Sequence, residues 1–412
     1  MSLWVRLIIA LGKLVSYISQ SLHFGAGATW PGEIALMLRP NIASELIKNL
    51  KKGVILVAGT NGKTTTSLMI KQILEQQGLT IVHNASGANL LNGIVSVLIQ
   101  KSQADWGVFE VDENSLPVVT EQLTTNNKQL MQVIVLLNLF RDQLDRYGEV
   151  DVIVEKWQKV LKTGSFVLNA DDPAIAYLGK NLTHVTYFGV NDKKHFLKNV
   201  EHATDSTFCL NCGGRLTYEG IYYSHIGIWR CERCGFRRPK PDVFEVTSPL
   251  PGLYNQYNTL AAVAAVKALG IHNPDISDFM PAFGRQEEFE FDGKQVKIFL
   301  SKNPAGFNAS LRTVLEQGAN NLLLILNDRI PDGRDVSWIW DVDFEMISKN
   351  TKIFVSGDRV YDLALRLQYA EKKPIVISSV YEALSKSETL YILPTYSAML
   401  DVRNTLLGRK IL

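Results

Sequence analysis

A glycine-rich turn between an apolar strand and a helix constrains this chain more than any other stretch. Residues 54–58 read Val-Ile-Leu-Val-Ala, which predicts a buried parallel strand, and residues 67–75 carry apolar side chains at helical spacing. The turn between them consists of Gly59, Thr60, Asn61, Gly62, Lys63, Thr64 and Thr65. In such a turn, backbone N–H groups and the helix N-terminus face a phosphate, and the lysine reaches the β- and γ-phosphates. The Thr64 hydroxyl can ligate Mg²⁺.

We therefore predict that these turn residues form an ATP site. The spacing is tighter than that of the usual phosphate loop, because Val57 stands where that motif has its first glycine. The alternative, a glycine turn that binds nothing, explains the flanking strand and helix less well.

Length and composition limit the class of protein. A chain of 412 residues is long enough for two or three domains and a large core. Charged residues make up 20% and hydrophobic residues 46% of it, as in an ordinary globular protein. A formal net charge of +2 creates no strong field for nucleic acid or a membrane.

The first residues form an apolar run that is interrupted by Arg6 and Lys13. Its uninterrupted part is too short to span a bilayer, and no convincing cleavage signal follows. Two interpretations stay open: a helix packed on the domain that follows, or an amphipathic helix that touches a membrane surface. We expect a cytoplasmic protein, with the inner face of the cytoplasmic membrane as the alternative place of work.

Strands and helices alternate after the phosphate loop, which predicts an α/β fold with a doubly wound, mostly parallel sheet. The predicted strands are 79–82, 106–111, 132–138 and 165–169. Ligands of such sheets bind at the carboxyl ends of the strands. Glu110 lies at such an end, beside the phosphate loop, and is predicted to hold Mg²⁺. Asp112 and Glu113, just beyond it, are expected to belong to a solvated acidic loop.

All four cysteines lie in an inserted segment from about 204 to 241. Cys209 and Cys212 form one CxxC knuckle, Cys231 and Cys234 form the other, and a glycine follows each pair. This spacing predicts a structural zinc ribbon, because four thiolates close the coordination sphere of Zn²⁺. Without a wider disulfide framework, the chain fits a reducing compartment. The ribbon is rich in arginine, so nucleic-acid binding, docking and simple solvation stay open for its surface.

Further candidates follow the ribbon. A helix that opens near Asn255 places Asn255 and Asn258 one turn apart, where they could cap the helix or face a nucleotide. Arg285 follows them, and the Asp292-Gly293 turn predicts a domain boundary. The predicted organisation is an N-terminal helical segment 1–40, a central ATP-binding domain 41–292 with the ribbon inserted, and a C-terminal α/β domain 293–412.

The C-terminal domain has its own candidate site. Its predicted strands are 296–300, 321–326, 352–355, 374–377 and 389–393. After the second of these, residues 327–345 combine several acids with Trp338 and Trp340 at the carboxyl end of a buried strand. Such a concentration predicts a site or an interface. Asp335 either serves that site or caps a helix that starts at Val336.

Together these motifs resemble the Mur ligase family, the amide-forming ligases of cell-wall synthesis. The matching parts are the phosphate loop, Glu110, residues 142–145, residues 169–172, the Asn255/Asn258 helix and Gly284-Arg285. The resemblance runs from about residue 40 to residue 412. Three departures narrow it: no full uridine-nucleotide-binding domain precedes the loop, a ribbon with four cysteines is inserted, and the C-terminal domain carries the acidic tryptophan loop.

This combination is similar to the branch of the family that amidates lipid II. The resemblance implies that ATP phosphorylates the α-carboxylate of D-glutamate in the lipid II stem peptide, and that ammonia then gives D-isoglutamine. It also implies a heterodimer with a GatD-type glutamine amidotransferase, a glutaminase that supplies the ammonia. All four cysteines here are assigned to zinc, which leaves none as a glutaminase nucleophile.

The resemblance also implies roles for individual residues. Lys63 and Thr64 would hold phosphates and Mg²⁺, and Glu110 would hold Mg²⁺, while Asn255, Asn258 and Arg285 would contact the nucleotide. In this branch, an aspartate of the C-terminal domain completes the Cys-His pair of the partner, for which Asp335 is the first candidate and Asp341 the second.

The chain departs from the family pattern at two points. Gln143 replaces the usual metal-binding histidine of the family, which puts a second Mg²⁺ in question. The carbamylated lysine of the family would fall near Lys156, but its spacing is one residue off, and we do not assign it.

Two alternatives compete with lipid II amidation. One is a Mur-type ligase that adds an amino acid to a peptidoglycan precursor. The other, of a different class, is a zinc-ribbon ATPase that binds nucleic acid. The near-neutral charge and the lack of interleaved aromatic and basic residues outside the ribbon argue against the second.

Overall fold

A computed structural model describes residues 3–21, 29–84, 88–101, 103–123, 130–142, 149–198 and 200–408. The strands are β1 (Leu50–Ala58), β2 (Ile81–His83), β3 (Ala104–Val111), β4 (Met131–Leu136), β5 (Ser165–Asn169), β6 (Val185–Phe188), β7 (Leu216–Tyr223), β8 (Ile226–Cys231), β9 (Arg285–Phe291), β10 (Lys294–Phe299), β11 (Asn321–Ile325), β12 (Lys352–Ser356), β13 (Ile375–Val376) and β14 (Thr389–Pro394). The α-helices are Leu3–Ser21, Trp30–Leu38, Ile42–Leu46, Lys63–Gln76, Leu91–Gln100, Leu116–Leu123, Val150–Val160, Pro173–Gly179, Leu253–Lys267, Pro304–Glu316, Val360–Tyr369, Val380–Leu384 and Tyr396–Leu407.

The first sheet carries the phosphate loop. Its six strands are ordered β2-β3-β1-β4-β5-β6, and all of their pairings are parallel. Residues 55–58 of β1 are fully buried, because helices cover both faces of the sheet and two separate apolar cores form. The predicted doubly wound parallel sheet is confirmed. The phosphate loop follows the interior strand β1 and therefore lies at the carboxyl edge of the sheet, where such folds bind their ligands.

The second sheet lies in the C-terminal part of the chain and has the order β13-β12-β11-β14-β10-β9. Its strands are parallel except β9, which pairs antiparallel with β10. Asp292 and Gly293, both with positive φ, form the hairpin turn between these two strands. The turn at the predicted boundary of 292 therefore lies inside this sheet, whose first strand begins at Arg285, and the division into domains stays a prediction.

The inserted segment is a small antiparallel unit built on β7 and β8. It is attached to the first sheet by buried contacts, because the Trp229 indole donates to the carbonyl of Ala170 at 3.2 Å. Arg238, which follows the second CxxC knuckle, pairs at 2.6 Å with the buried carboxylate of Asp171. This insertion is thus anchored to the loop after β5.

The N-terminal helix Leu3–Ser21 packs on the domain that follows. It contacts helices Trp30–Leu38 and Leu91–Gln100, and Val5, Ile8 and Ile9 are buried. No helix among the described residues is long and apolar enough to cross a membrane. One face of this helix therefore belongs to the core of the first sheet, as the first of the two sequence interpretations requires.

The carboxyl edges of the two sheets face one another. Helix Leu253–Lys267 packs on helix Lys63–Gln76 and also contacts helix Pro304–Glu316 of the C-terminal domain. The segment between β10 and helix Pro304–Glu316 thereby reaches the phosphate loop. The space between the two edges is where the candidate site lies.

Candidate functional site

The phosphate loop adopts a conformation that two glycines permit. Gly59 has φ +139° and Gly62 has φ +91°, and helix Lys63–Gln76 begins directly after Gly62. A Cβ at Gly62 would overlap the side-chain oxygen of Asn258, so helix Leu253–Lys267 approaches the loop as closely as a glycine allows. The loop leaves the N-terminus of the following helix open toward the space between the sheets.

The segment directly after β4 holds the loop in place. The backbone N–H of Thr60 donates to the carbonyl of Asn138 at 3.0 Å, and the N–H of Asn61 donates to the Asn138 side chain at 2.9 Å. The Phe140 N–H donates to the Thr60 hydroxyl at 3.0 Å. Asn138 was not among the predicted site residues. The signal that could have found it is a polar residue directly after a buried strand.

Lys63 is held by the loop and by one acid. Its ammonium donates to the carbonyls of Gly59 at 2.6 Å and Thr60 at 3.2 Å, and to the Glu113 carboxylate at 3.1 Å. Burial alone would raise the pKa of Glu113, but the ammonium groups of Lys63 and Lys302 more than offset burial and lower it. The Lys63 charge is thus kept beside the position expected for phosphates.

The expectation that Asp112 and Glu113 form a solvated acidic loop is wrong. Asp112 is only 6% and Glu113 only 3% exposed. The indole of Trp157 donates to the Glu113 carbonyl at 2.8 Å, which covers this turn from the side of helix Val150–Val160. Long-range contacts with Lys63 and Trp157 bury residues that a local pattern assigns to the surface.

Thr64 and Glu110 form the second part of the loop site. The Thr64 hydroxyl donates to the buried Glu110 carboxylate at 2.6 Å. Asn84 exchanges two hydrogen bonds with the Glu110 backbone, which fixes this strand end. The Arg285 guanidinium donates to the Thr64 hydroxyl at 3.5 Å. A hydroxyl and a carboxylate oxygen at this separation are a donor set that fits Mg²⁺.

A cavity lies next to the loop, between the two sheets. The residues that line it are Asn61, Gly62, Thr65, Asn138, Tyr223, Tyr254, Asn255, Asn258, Arg285, Gln286, Phe299, Leu300, Ala305, Gly306, Ala309 and Ser310. Six predicted nucleotide contacts are among them, whereas Gly59, Thr60, Lys63 and Thr64 lie outside its wall. The Asn258 side chain donates to Asn255 at 3.1 Å, so the two predicted asparagines act as one polar unit.

A second cleft opens on the other side of residues 303–306. It is lined by Arg141, Asp142, Lys302, Asn303, Pro304, Asp335, Ser337, Trp338 and Asp341. The Lys302 ammonium donates to the Asp142 carboxylate at 2.6 Å. Burial alone would lower the pKa of Lys302, but the carboxylates of Asp142 and Glu113 raise it. Sequence reasoning missed Lys302, because nothing local marks it.

Both candidate aspartates of the acidic tryptophan loop reach this cleft. Asp335 accepts hydrogen bonds from the backbone N–H of Ser337 at 2.8 Å and from its hydroxyl at 2.9 Å. It thereby orders the short 3₁₀ helix Ser337–Asp341, which starts one residue later than the predicted helix. Asp341 pairs with Arg141 at 3.4 Å. Asp335 therefore fits both sequence interpretations, since it shapes the turn and faces the cleft.

Residues 169–172, which matched the family pattern, are structural here. Asp172 caps helix Pro173–Gly179 by accepting from the backbone N–H groups of Ala174 and Ile175. Asp171 accepts from the Tyr257 hydroxyl at 2.6 Å as well as from Arg238. Burial raises the pKa of Asp171 despite these donors. This motif connects the ribbon to helix Leu253–Lys267, which carries Asn255 and Asn258.

Of the two departures from the family pattern, only Lys156 lies among the described residues. Gln143 lies outside the described residues. Lys156 lies on helix Val150–Val160, where its ammonium donates to Asn114 at 2.8 Å, next to Glu113.

The four cysteines of the ribbon are grouped so that they could hold a metal ion. Their sulfur atoms all lie within 4.8 Å of one another, with Cys209 and Cys234 at 3.7 Å and Cys212 and Cys231 at 3.5 Å. A tetrahedral ion with metal–sulfur bonds of about 2.3 Å separates its ligands by about 3.8 Å, so the cluster fits such an ion. Gly213 and Gly235 have positive φ and make the turns after each CxxC pair.

Comparison with known proteins gives two matching families. The Mur ligase middle domain matches residues 57–266, and the MurT ligase C-terminal domain matches residues 300–399. The lipid II isoglutaminyl synthase (glutamine-hydrolyzing) subunit MurT of Staphylococcus aureus is 35% identical, over 92% of this chain and 91% of that protein. The subunit of the same name from Streptococcus pneumoniae is 32% identical, over 100% and 99%.

Solved structures agree on the fold. A pseudomurein peptide ligase type C from Methanothermus fervidus superposes with a TM-score of 0.68 at 24% identity, over 87% of this chain and 79% of that one. MurF ligase from Thermotoga maritima in complex with ADP superposes with a TM-score of 0.60 at 15% identity, over 90% and 82%. At these identities the likeness concerns the fold, and the predicted Mur ligase-like α/β architecture is confirmed.

Proposed function

The chain belongs to the MurT family of Mur ligase-like proteins, and we propose that it is the ATP-dependent ligase subunit of a two-subunit lipid II amidating enzyme. The reaction converts the D-glutamate α-carboxylate of the lipid II stem peptide into D-isoglutamine. The observation that carries this proposal is the position of residues 303–306, which separate the loop-side cavity from the acidic cleft. One site would hold the nucleotide, and the other would receive ammonia and the acyl substrate.

The residues of the loop site suit the first half of the reaction. ATP would occupy the cavity beside Asn255, Asn258 and Arg285, with its phosphates at the N-terminus of helix Lys63–Gln76. A carboxylate oxygen of the substrate attacks the γ-phosphorus, the bond between the β- and γ-phosphates breaks, and ADP leaves. Two anions must approach in this step, and the charge of Lys63 offsets their repulsion.

Thr64 and Glu110 would hold Mg²⁺ at this site, because their oxygens form the hard donor set that this ion prefers. When bound, the ion would neutralise charge on the phosphates.

The second half of the reaction would take place toward the acidic cleft. Ammonia attacks the carbonyl carbon of the acyl phosphate, the C–O bond to phosphate breaks, and a proton leaves the nitrogen to give the amide. Lys302 faces this cleft, where its ammonium lies close enough to Asp142 for direct pairing at 2.6 Å. A positive charge at this place would hold the anionic intermediate against hydrolysis.

The ammonia would come from a GatD-type glutaminase subunit. The acidic tryptophan loop is the proposed contact, with Asp335 in the role of orienting a histidine of the partner. Beside it, helix Val360–Tyr369 exposes Tyr361 and Tyr369, and the Tyr369 ring packs edge-on against Trp340. Exposed aromatic side chains of this kind are common at protein interfaces.

The ion of the ribbon is proposed to be Zn²⁺, with all four ligands from Cys209, Cys212, Cys231 and Cys234. Four thiolates leave no open position, so the ion would be structural. Elemental analysis of the purified chain should find close to one zinc per chain, and Cys212→Ser should lose it. An iron content of the same size would contradict the assignment.

One reconstitution tests the proposed reaction. The chain is mixed with ATP, Mg²⁺ and lipid II, and receives either ammonium or glutamine, with or without the glutaminase subunit. Ammonium alone should yield D-isoglutamine and ADP, whereas glutamine should do so only with the partner. The proposal is lost if no amide forms with ammonium while the chain still binds ATP.

The same mixture separates the alternative reactions. A ligase that adds an amino acid would consume ATP with that amino acid and not with ammonium. A nucleic-acid-dependent ATPase would respond to nucleic acid. The ribbon gives nucleic-acid binding little support, because three of its arginines are engaged: Arg230 pairs with Glu232, Arg233 with a backbone carbonyl and Arg238 with Asp171. The proposed place of work is the cytoplasm at the inner membrane face, because the proposed substrate is carried on a lipid.

A further inference from the structure

In the part of the chain that the structure describes, the N-terminal helix Leu3–Ser21 has a second apolar face that lies outside the core. Opposite the buried side chains of Val5, Ile8 and Ile9, a row of large apolar residues is 40–75% exposed. The row consists of Leu3, Trp4, Leu7, Leu11, Leu14 and Ile18. Positions 3, 7, 11, 14 and 18 recur at intervals of a helical turn, so they form one continuous stripe. We call these six residues the N-terminal stripe.

The neighbouring helix Trp30–Leu38 adds exposed apolar side chains. Trp30 is 62%, Met37 is 73% and Leu38 is 45% exposed, although this helix packs tightly on helix Leu91–Gln100. Its inner side packs closely against helix Leu91–Gln100, because a Cβ at Gly32 would overlap the Asn92 carbonyl. Both helices are therefore fixed to the domain on one side while they expose apolar residues on the other. Contiguous exposed apolar residues that are flanked by polar ones often mark an interaction site.

The charges on the helix indicate which occupant fits. Arg6 and Lys13 are exposed and lie two turns apart along the flank of the stripe, and the helix contains no Asp or Glu. The nearest acid on the neighbouring helix, Glu33, is engaged by the Asn92 side chain at 2.8 Å. An apolar stripe with a cationic flank matches an anionic lipid surface. A second copy would bring the same two cations and no acid of this helix to a two-fold interface, so the helix itself would offer no opposite charge to pair with them.

We propose that the N-terminal stripe docks the chain on an anionic lipid bilayer. The helix lies in the interface, with the stripe among the acyl chains near the headgroups and with Arg6 and Lys13 on the phosphates. The domain side of the helix stays packed through Val5, Ile8 and Ile9. Docking needs neither ATP nor a reaction partner, so it is separate from the proposed amidation and is tested without it.

Flotation of the full chain with vesicles tests the docking. Vesicles of phosphatidylglycerol and phosphatidylcholine in equal parts should carry the chain upward, and Trp4→Gln/Leu7→Gln/Leu11→Gln should lower the partition coefficient about tenfold or more. The matched control is Tyr361→Gln/Leu365→Gln/Tyr369→Gln, which removes three comparably exposed apolar residues from helix Val360–Tyr369. The control should float like the parent chain. Equal flotation of the stripe variant and the parent would overturn the proposal, provided that both melt at the same temperature.

A second pair of measurements separates lipid docking from other occupants. Arg6→Gln/Lys13→Gln should lower binding to the anionic vesicles several-fold, with little change for pure phosphatidylcholine. Light scattering of the parent and of the stripe variant, without vesicles, reports self-association. If the parent is a dimer, the stripe variant is a monomer and vesicles do not bind the parent, then the stripe is a contact between copies and the proposal is wrong.

Discussion

The side-chain amides of Asn61 and Asn303 form a reciprocal pair of hydrogen bonds between the phosphate loop and the segment after β10. Each amide nitrogen donates to the other side-chain oxygen, both at 3.1 Å. Asn61 belongs to the phosphate loop, whereas Asn303 caps helix Pro304–Glu316 by accepting from the Gly306 N–H at 2.8 Å. A loop that would bind phosphate is therefore coupled directly to the segment that separates the two clefts.

Asn303→Asp tests this coupling. The aspartate keeps an acceptor for the Gly306 N–H, so the cap and the melting temperature should change little. It cannot donate to Asn61, and we expect kcat/KM for ATP to fall roughly tenfold, as for the loss of one buried hydrogen bond. Asn303→Ala should lose the same activity and also about 1 kcal/mol of stability. Unchanged kinetics in Asn303→Asp would mean that the amide pair only packs the two domains together.

Gly62→Ala should lower the affinity for ATP much more than it lowers the stability of the fold. Its φ of +91° already disfavours alanine, and the new Cβ would also overlap the Asn258 side chain. The matched control is Gly78→Ala, since Gly78 has φ +74° but no atom within 4 Å of the added carbon. We expect both variants to lose about 1 kcal/mol from backbone strain, and Gly62→Ala to lose more because the Asn258 side chain must shift. Only Gly62→Ala should lose ATP affinity by tenfold or more in calorimetry, and similar affinities in both variants would contradict this account.

Lys302→Met should lower ammonium-driven amidation about 100-fold, because the cleft loses its positive charge. The change also leaves the buried Asp142 carboxylate without its ammonium partner, which costs stability. Lys302→Met/Asp142→Asn removes that penalty and should restore the melting temperature but not the rate. Lys297→Met, which breaks a more exposed pair with Glu288, serves as the control. If the double variant recovers activity, Lys302 has only a structural role.

The parts of the fold that sequence reasoning predicted are those specified by local patterns. The β1 strand, the glycine turn and the helix after it are contiguous, and so are the CxxC knuckles, so neighbours in sequence carry the whole signal. Strand β9 escaped prediction because it is an edge strand rich in glutamate, in which only two phenylalanines occupy alternate positions.

The parts that were missed depend on contacts between distant segments. Asn61 and Asn303 are 242 positions apart, and Lys302 reaches Asp142 over 160. Glu113 looked solvated because its partner, Lys63, lies 50 positions away. No periodicity encodes such contacts, since they follow from the way the two sheets turn their carboxyl edges toward each other.

His83 should make the stability of the first domain fall in mild acid. Burial, with a smaller effect of Lys71, lowers the pKa of His83 from 6.5 to about 4. The folded state therefore binds fewer protons than the unfolded state, and stability that is complete above pH 6.5 is lost as the pH falls toward 4. The loss is at most about 3 kcal/mol. Thermal melts of His83→Gln should lack this loss of stability in acid, whereas the exposed control His272→Gln should follow the parent. If the melting temperature depends on pH in the same way for all three proteins, the prediction is wrong.

Asp335→Asn should separate the supply of ammonia from its use. Asparagine retains an oxygen for the Ser337 N–H, so the turn that Asp335 orders is preserved. The lost charge should then matter only to a histidine of the glutaminase subunit. With that subunit present, we expect glutamine-driven amidation to fall about 100-fold or more, and ammonium-driven amidation to stay within a factor of two.

Asp341→Asn is the matched variant for this experiment, because Asp341 lines the same cleft and pairs with Arg141 at 3.4 Å. Arg141 keeps Asp205 as a partner, so the loss of Asp341 should change both rates by less than about threefold. A selective loss of glutamine-driven amidation in Asp341→Asn, with Asp335→Asn unaffected, would exchange the two assignments. An equal loss of both activities in Asp335→Asn would instead assign Asp335 to the ligase reaction, since ammonium in solution bypasses the partner but not the acyl phosphate.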